Sequence, residues 1–177
     1  MAKKQKKSNW IWIIKITLLA FIISFIFSGL SEILISKINL IGGLAILIVF
    51  ISLGVIFDMI GVAITSADEE PFHAKSSRKV KGASTAVKLL KNADKVSSFC
   101  NDVVGDICGI LSGSAGVMIA TTIINKFNIN AFLVALLVTA IIASLTIGGK
   151  AIGKGIAIKN NKTIVFIFSK VLAVFYK

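Results

Sequence analysis

Residues 40–73 read LIGGLAILIVFISLGVIFDMIGVAITSADEEPFH, a long apolar segment that ends in an acidic turn. The part from Leu40 to about Thr65 is apolar and longer than the roughly 20 residues that a helix needs to cross a bilayer. A single acid, Asp58, interrupts it. An ionisable side chain inside a membrane-length segment is costly, so it marks a functional-site candidate. The stretch therefore predicts a membrane helix that carries a polar site.

Three further apolar segments of this kind occur, at about 11–27, 99–124 and 131–147. Hydrophobic residues make up 56% of the chain and the mean hydropathy is +0.92, which leaves little sequence for an aqueous domain. The predicted fold class is an all-α polytopic membrane protein with about four transmembrane helices. Amphipathic cytoplasmic juxtamembrane helices are expected to accompany them.

The chain carries 20 basic and 8 acidic residues, an excess that could suggest nucleic acid binding. The basic residues, however, flank or connect the apolar spans, and this distribution is the positive-inside pattern of membrane proteins. With both termini inside, the outer loops hold two lysines and the inner segments seventeen basic residues. We therefore expect a multi-pass protein of the cell membrane with cytoplasmic termini, in contact with the lipid bilayer and with no nucleic acid.

The sequence divides into three parts. Residues 1–39 form a basic tail and an extra, uncleaved transmembrane helix with an outside connector. Residues 40–162 form the membrane core, whose basic cytoplasmic connector, 67–98, has apolar residues at helical spacing. This spacing favours one or two interfacial helices, split near Gly82, over a solvated loop. Residues 163–177 are apolar but short, which predicts an interfacial or partly re-entrant helix.

The third apolar span opens with polar residues and continues with regularly spaced glycines. Asp102 and Asp106 lie one helical turn apart and so share one face. The glycines recur every four residues, and such a ladder of small residues lets another helix pack closely. We expect the helix-packing positions to be Gly105, Gly109 and Gly113.

Residues suited to catalysis are sparse. Cys100 and Cys108 lie within one apolar span, which predicts small buried side chains and neither a disulfide nor a metal pair. His73 is the single histidine of the chain. Because no nucleophile–base pair or catalytic histidine arrangement is visible, an enzyme is not expected.

From about Leu44 onward the chain resembles the transmembrane domain of the CNNM and CorB/CorC magnesium-transporter family. Three stretches carry the resemblance: GVAITSAD, GASTAVKLLKNADKVSSFCNDVVGD and IGGKAIGKGIAI. The last resembles the family's Gly-Glu-x-x-Pro-Lys signature. The resemblance implies a three-helix core, preceded here by one extra helix, a cytoplasmic belt of short helices, and a homodimer. Cytosolic CBS domains usually follow, so a chain ending at Lys177 is expected to be a short form that lacks their nucleotide regulation unless a separate cytosolic regulatory chain supplies it.

The resemblance also implies an ion site built from oxygen ligands, as a hard cation such as Mg²⁺ requires. The family's Asn-Asn pair falls on Asn101-Asp102, which keeps oxygen at both positions. Its Ser-Glu pair is replaced by Ile60-Gly61. The signature glutamate, proline and lysine fall on Lys150, Gly153 and Lys154. One part of the implied site is therefore retained and two parts are changed.

Two functions remain open from the sequence. The first is a divalent-cation (Mg²⁺ or Co²⁺) transporter membrane domain with a remodelled ion site, in which Mg²⁺ is the expected ligand. Its oxygen ligands would be Asp58, Asn101, Asp102 and Asp106, with Lys150 and Lys154 modulating the site. The second is a non-transporting structural or regulatory membrane module. In that module Lys150 replaces the bound cation by pairing with one of the acids.

Overall fold

The computed structural model describes residues 6–35, 39–127 and 129–175, and these residues are helical apart from short connections. The predicted all-α fold is confirmed. The basic residues of the tail before position 6, connector residues 36–38 and residues 176–177 lie outside the described ranges. The elements in chain order are α1 (Lys6–Ile35), α2 (Leu40–Ser66), α3 (Glu70–Ser77), α4 (Ala83–Lys91), α5 (Ala93–Ser98), a π-helical segment (Phe99–Gly105), α6 (Asp106–Phe127), α7 (Ala131–Lys159) and α8 (Asn161–Phe175).

Four helical stretches are long and apolar enough to cross a membrane, which confirms the four predicted spans. They are Trp12–Gly29, Leu40–Ser66, Ala93–Phe127 and Ala131–Lys159. Two are longer than the sequence predicts. The third begins at Ala93 because α5, the π-helical segment and α6 follow one another without a break. The fourth continues past Ile147 through a glycine-rich stretch that stays helical to Lys159.

The glycine-rich part of α7 remains helical where it packs closely against α2. A Cβ atom on Gly149 would lie 2.9 Å from the Val55 side chain, and one on Gly153 would lie 2.7 Å from that of Met59. Such distances leave no room for a larger residue, so the two glycines let the helix backbones approach each other. The resulting contact offsets the cost of about 1 kcal/mol that glycine brings to a helix interior.

Two glycines of α7 that differ only in their neighbours test this packing. Gly153→Ala is expected to lower the free energy of unfolding by about 1–2 kcal/mol, because the added methyl group meets Met59 and Val55. Gly155→Ala is the matched control, since a Cβ there would meet nothing within 4 Å, and it is expected to raise that free energy by up to about 1 kcal/mol. Thermal unfolding in detergent measures both. Shifts of the same sign would contradict the close approach of α7 to α2.

The chain forms two compact units, Met1–Phe50 with Ile107–Ile142 and Ile51–Asp106 with Ala143–Lys177. In the first unit, Gly43 of α2 packs against Met118 and Ile119 of α6. Gly116 of α6 packs against the Ile142 side chain. The second unit has a continuous apolar core at the end of α2, whose buried members are Ala63, Ile64, Phe72, Ala86, Leu90, Ala157 and Val165.

The basic connector folds as three short helices, α3 to α5, where one or two were predicted, and the solvated-loop interpretation is wrong. The chain breaks at Gly82, as predicted, where φ is +87°, a left-handed conformation that favours glycine. Helix α4 is amphipathic: Ala83, Ala86 and Leu90 are buried, whereas its lysines are exposed. Of the residues that the connector periodicity predicts on the apolar face, Ala83 and Leu90 are buried and Val87 is half-buried, whereas Val80, which precedes α4, is exposed.

Helix α8 packs against α4 and the end of α2. Val165 and Ser169 are completely buried on its inner face. At its first residue, the Asn161 side-chain amide donates a 2.7 Å hydrogen bond to the Ser66 carbonyl, which closes the last turn of α2. Together with α7, this arrangement fixes the part of α2 that contains Asp58.

Candidate site around Asp58

Asp58 is the one charged residue that is buried among the residues that the structure describes, with 5% of its surface exposed. It lies in the second half of α2, within the second compact unit. An ionised carboxylate removed from water requires compensation by opposite charge or hydrogen bonds. Its surroundings therefore define the candidate site.

Two lysines of α7 supply that compensation. The Lys150 Nζ atom lies 3.7 Å from Asp58 Oδ1, and the Lys154 Nζ atom lies 3.9 Å from Asp58 Oδ2. The two lysines are four residues apart and so share one helix face. Both distances exceed hydrogen-bonding range, so these contacts are ion pairs without a direct hydrogen bond. The Lys150 side chain is 24% exposed and that of Lys154 is 54% exposed, which makes Lys150 the inner partner.

Asn101 of the π-helical segment reaches the same part of α2. Its amide packs on the bare backbone of Gly61, one turn after Asp58, where an added Cβ would overlap Asn101 Oδ1 and lie 2.7 Å from its Cγ. The Asn101 Nδ2 atom donates a 3.3 Å hydrogen bond to the hydroxyl of Ser97. Because Gly61 has no side chain, the Asn101 amide can pack directly against the backbone of α2.

Two oxygen atoms of this site are buried without a hydrogen-bond partner, Asp58 Oδ2 and Asn101 Oδ1. A buried polar atom left unsatisfied costs about 1–3 kcal/mol. Carboxylate and amide oxygens are the ligands that hard cations prefer. These two atoms therefore fit a fragment of a cation site, and the ammonium groups are the positive charges beside it.

The Lys150 ammonium also borders the π-helical segment. A Cβ on Gly105 would lie 3.5 Å from Lys150 Nζ and 3.5 Å from the Cys100 carbonyl oxygen. The glycine thus leaves space beside the ammonium group. Gly109 and Gly113, the other two positions of the predicted ladder, are exposed, and a Cβ on either would meet nothing within 4 Å. Both cysteines are buried, as the sequence predicts.

Asp102 and Asp106, the other two predicted ligands, are exposed. Successive residues of a helix point in different directions, so the orientation that places Asn101 on Gly61 turns Asp102 elsewhere. Within residues 6–35, 39–127 and 129–175, no group of three or more His, Cys, Asp or Glu side chains is placed to hold a metal ion. The structure thus brings Asp58 and Asn101 to one part of α2 and leaves the other two acids apart.

The charge balance decides what the site can hold in this conformation. One carboxylate faces two ammonium groups, so the site is net positive. Two unit charges 4 Å apart interact by about 4 kcal/mol at an effective dielectric constant of 20, and a divalent ion doubles that value. By the same estimate, an Mg²⁺ ion about 4 Å from all three groups would be repelled by about 8 kcal/mol by each ammonium and attracted by about 8 kcal/mol by the carboxylate. The charges of this conformation therefore disfavour a divalent cation.

Sequence reasoning missed two features of this site. The direct contact of Lys154 with Asp58 was not predicted, although its spacing of four from Lys150 places both on one face. The close approach of α7 through Gly149 and Gly153 was also missed. Their spacing repeats the small-residue ladder recognised in the third span, so the signal was present.

Comparison with known proteins gives one match. The family model described as the Cyclin M transmembrane N-terminal domain, CNNM, matches residues 45–177. This range holds every residue of the Asp58 site and begins after α1. No curated protein and no solved structure matches the chain.

Proposed function

The chain belongs to the CNNM transmembrane-domain family, which is related to Mg²⁺ transport, and on that premise we propose that it is a non-transporting structural or regulatory membrane module in which Lys150 holds the position of the cation. The observation that carries the proposal is the Lys150 ammonium, 3.7 Å from the one buried carboxylate of the described residues. In this state the domain does not bind Mg²⁺. The ammonium supplies the positive charge that the carboxylate requires.

A tethered ammonium suits this site better than a free ion. Mg²⁺ demands near-octahedral coordination, with several ligands usually supplied by retained water. The site offers two buried side-chain oxygens that lack partners, Asp58 Oδ2 and Asn101 Oδ1. An ammonium group needs fewer oxygens, and its covalent tether avoids the entropy loss of capturing an ion.

The same contact gives the domain a structural or regulatory role. The pair joins α7 to the second half of α2, so it stabilises one arrangement of the second unit. Because the Lys150 side chain is 24% exposed, its ammonium can turn toward the surface without unfolding the helix. A signal that draws Lys150 away would free Asp58 for a cation.

A remodelled ion site that works in the native protein is the second candidate. The two buried oxygens without hydrogen-bond partners favour it, because a bound cation would satisfy both. In this candidate Mg²⁺ or Co²⁺ binds Asp58 and Asn101 after both lysines turn away. Asp102 and Asp106, exposed at the same end of the third span, attract the ion from the aqueous side.

The environment and assembly of the domain form part of the proposal. The distribution of lysines favours the cell membrane with both termini in the cytoplasm. Gly109 and Gly113 support a homodimer, because both are exposed and leave open space for the close approach of a second α6 helix.

Magnesium flux into proteoliposomes tests the proposal. Wild-type protein is expected to give no more uptake than protein-free liposomes. Lys150→Glu is expected to give measurable uptake, since it replaces the ammonium by a further oxygen ligand. Addition of Asp58→Asn should abolish that uptake.

Lys159→Glu is the matched control, because it makes the same charge change at an exposed position of α7. This variant is expected to give no more Mg²⁺ uptake than protein-free liposomes. Uptake by the wild type that Asp58→Asn abolishes would reject the lysine-held state and establish the second candidate.

A further inference from the structure

An apolar groove lies between α2 and α8, within the second unit. Its volume is about 310 Å³, and apolar side chains alone line it, with Ile56 and Met59 from α2 and Ile167 and Val171 from α8 among them. That volume is at the lower end of ligand pockets, about 300–1,000 Å³, and suits a segment of one acyl chain. Ile167 and Val171 are 58% and 52% exposed, so the groove opens along α8.

Two ammonium groups converge on the ring of Phe166, which belongs to the same helix α8. Lys75 of α3 and Lys170 of α8 each place Nζ 4.5 Å from the centre of the Phe166 ring. The two groups are therefore separated by no more than twice that distance. Both lysines are exposed, and within the described part of the chain neither pairs with a carboxylate. Their contact with the ring holds them in place by cation–π attraction.

One member of this lysine pair, Lys170, is a neighbour of the groove on α8. Ile167 lines the groove and lies three residues before Lys170, a spacing that puts two side chains side by side on a helix. A ligand with an apolar chain and a negative head can therefore contact both. The surrounding connector adds further positive charge, with seven basic residues and one acid between positions 75 and 95.

We propose that this surface binds one anionic phospholipid, with an acyl chain in the α2/α8 groove and the phosphate on Lys75 and Lys170. The chain has four membrane-length helices, so an apolar groove on its surface is expected to be surrounded by lipid acyl chains. The paired ammonium groups select a negative headgroup, because each basic side chain near an anionic lipid surface adds to the attraction. The inference is independent of the state of Lys150.

Native mass spectrometry of the detergent-purified protein tests this site. Phosphatidylglycerol and phosphatidylcholine with identical acyl chains are the probes. The wild type is expected to retain one phosphatidylglycerol in preference to phosphatidylcholine. Lys75→Gln/Lys170→Gln is expected to weaken phosphatidylglycerol retention roughly thirtyfold, as the loss of two charges at the headgroup predicts.

Lys81→Gln/Lys91→Gln is the matched control, because it removes the same charge from exposed positions of the connector that contains Lys75. It is expected to keep the preference. Ile167→Trp, which fills the groove without changing charge, is expected to reduce retention of phosphatidylglycerol and keeps the test valid if the double variant folds poorly.

Three outcomes would overturn the proposal. The first is equal retention of the two lipids by the wild type, and the second is an equal loss in both lysine pairs, which indicates diffuse attraction. The third is full retention by Ile167→Trp.

Discussion

Replacing Lys150 by methionine is expected to lower the free energy of unfolding by about 2–3 kcal/mol. Removal of one partner of a buried ion pair typically costs about 3–5 kcal/mol, because the remaining charge stays buried and unpaired. Here Asp58 keeps the more exposed Lys154 at 3.9 Å, so the cost falls below that range. Methionine has a similar length and no charge, so packing is largely preserved. Thermal unfolding in detergent measures the change.

A double-mutant cycle separates the ion pair from other effects of the substitution. Asp58→Asn alone is expected to cost less than Lys150→Met, because both lysines can turn toward solvent once the acid is neutral. Asp58→Asn/Lys150→Met should then be about as stable as Asp58→Asn. Lys159→Met, at an exposed position of the same helix, is expected to have little effect. Additive losses in the cycle would mean that Lys150 and Asp58 do not interact.

The fold follows from the sequence because its main determinants are local. Membrane-length apolar runs predict helices whatever their neighbours are, and the periodic apolar residues of the connector predict the buried face of α4. The lengths of the third and fourth spans follow from tertiary contacts. Gly149 and Gly153 stay helical because α2 packs against them, and propensity alone does not contain that information.

The candidate site is only partly predictable from the sequence, because it also depends on tertiary contacts between helices. The cost of burying charge identifies Asp58, and the family resemblance points to Asn101 and Lys150. Which acid meets Lys150 depends on the relative rotation of three helices, and the π-helical segment changes that rotation between Phe99 and Gly105. Sequence spacing alone therefore does not predict which of three acids pairs with Lys150: Asp58, Asp102 or Asp106.

At Gly61 the chain departs from the family pattern, and the structure gives a physical reason for the difference. The family resemblance assigns an acid to this position, and its absence from the sequence indicates a lost ligand. In the structure, the Asn101 amide occupies the space where a side chain would start. The change at position 61 and the position of Asn101 are thus two parts of one packing arrangement.

The thermal stability of detergent-purified protein during an Mg²⁺ titration tests most directly whether Lys150 holds the ion position. The wild type is expected not to respond. Lys150→Glu is expected to be stabilised, because ligand binding at 100 times Kd adds about 2.7 kcal/mol. For a chain of this size that corresponds to a rise in Tm of about 5–10 °C. Lys159→Glu controls for the added negative charge and is expected to behave like the wild type. Stabilisation of the wild type by Mg²⁺ that disappears in Asp58→Asn would contradict the account, since the cation would then bind with Lys150 present.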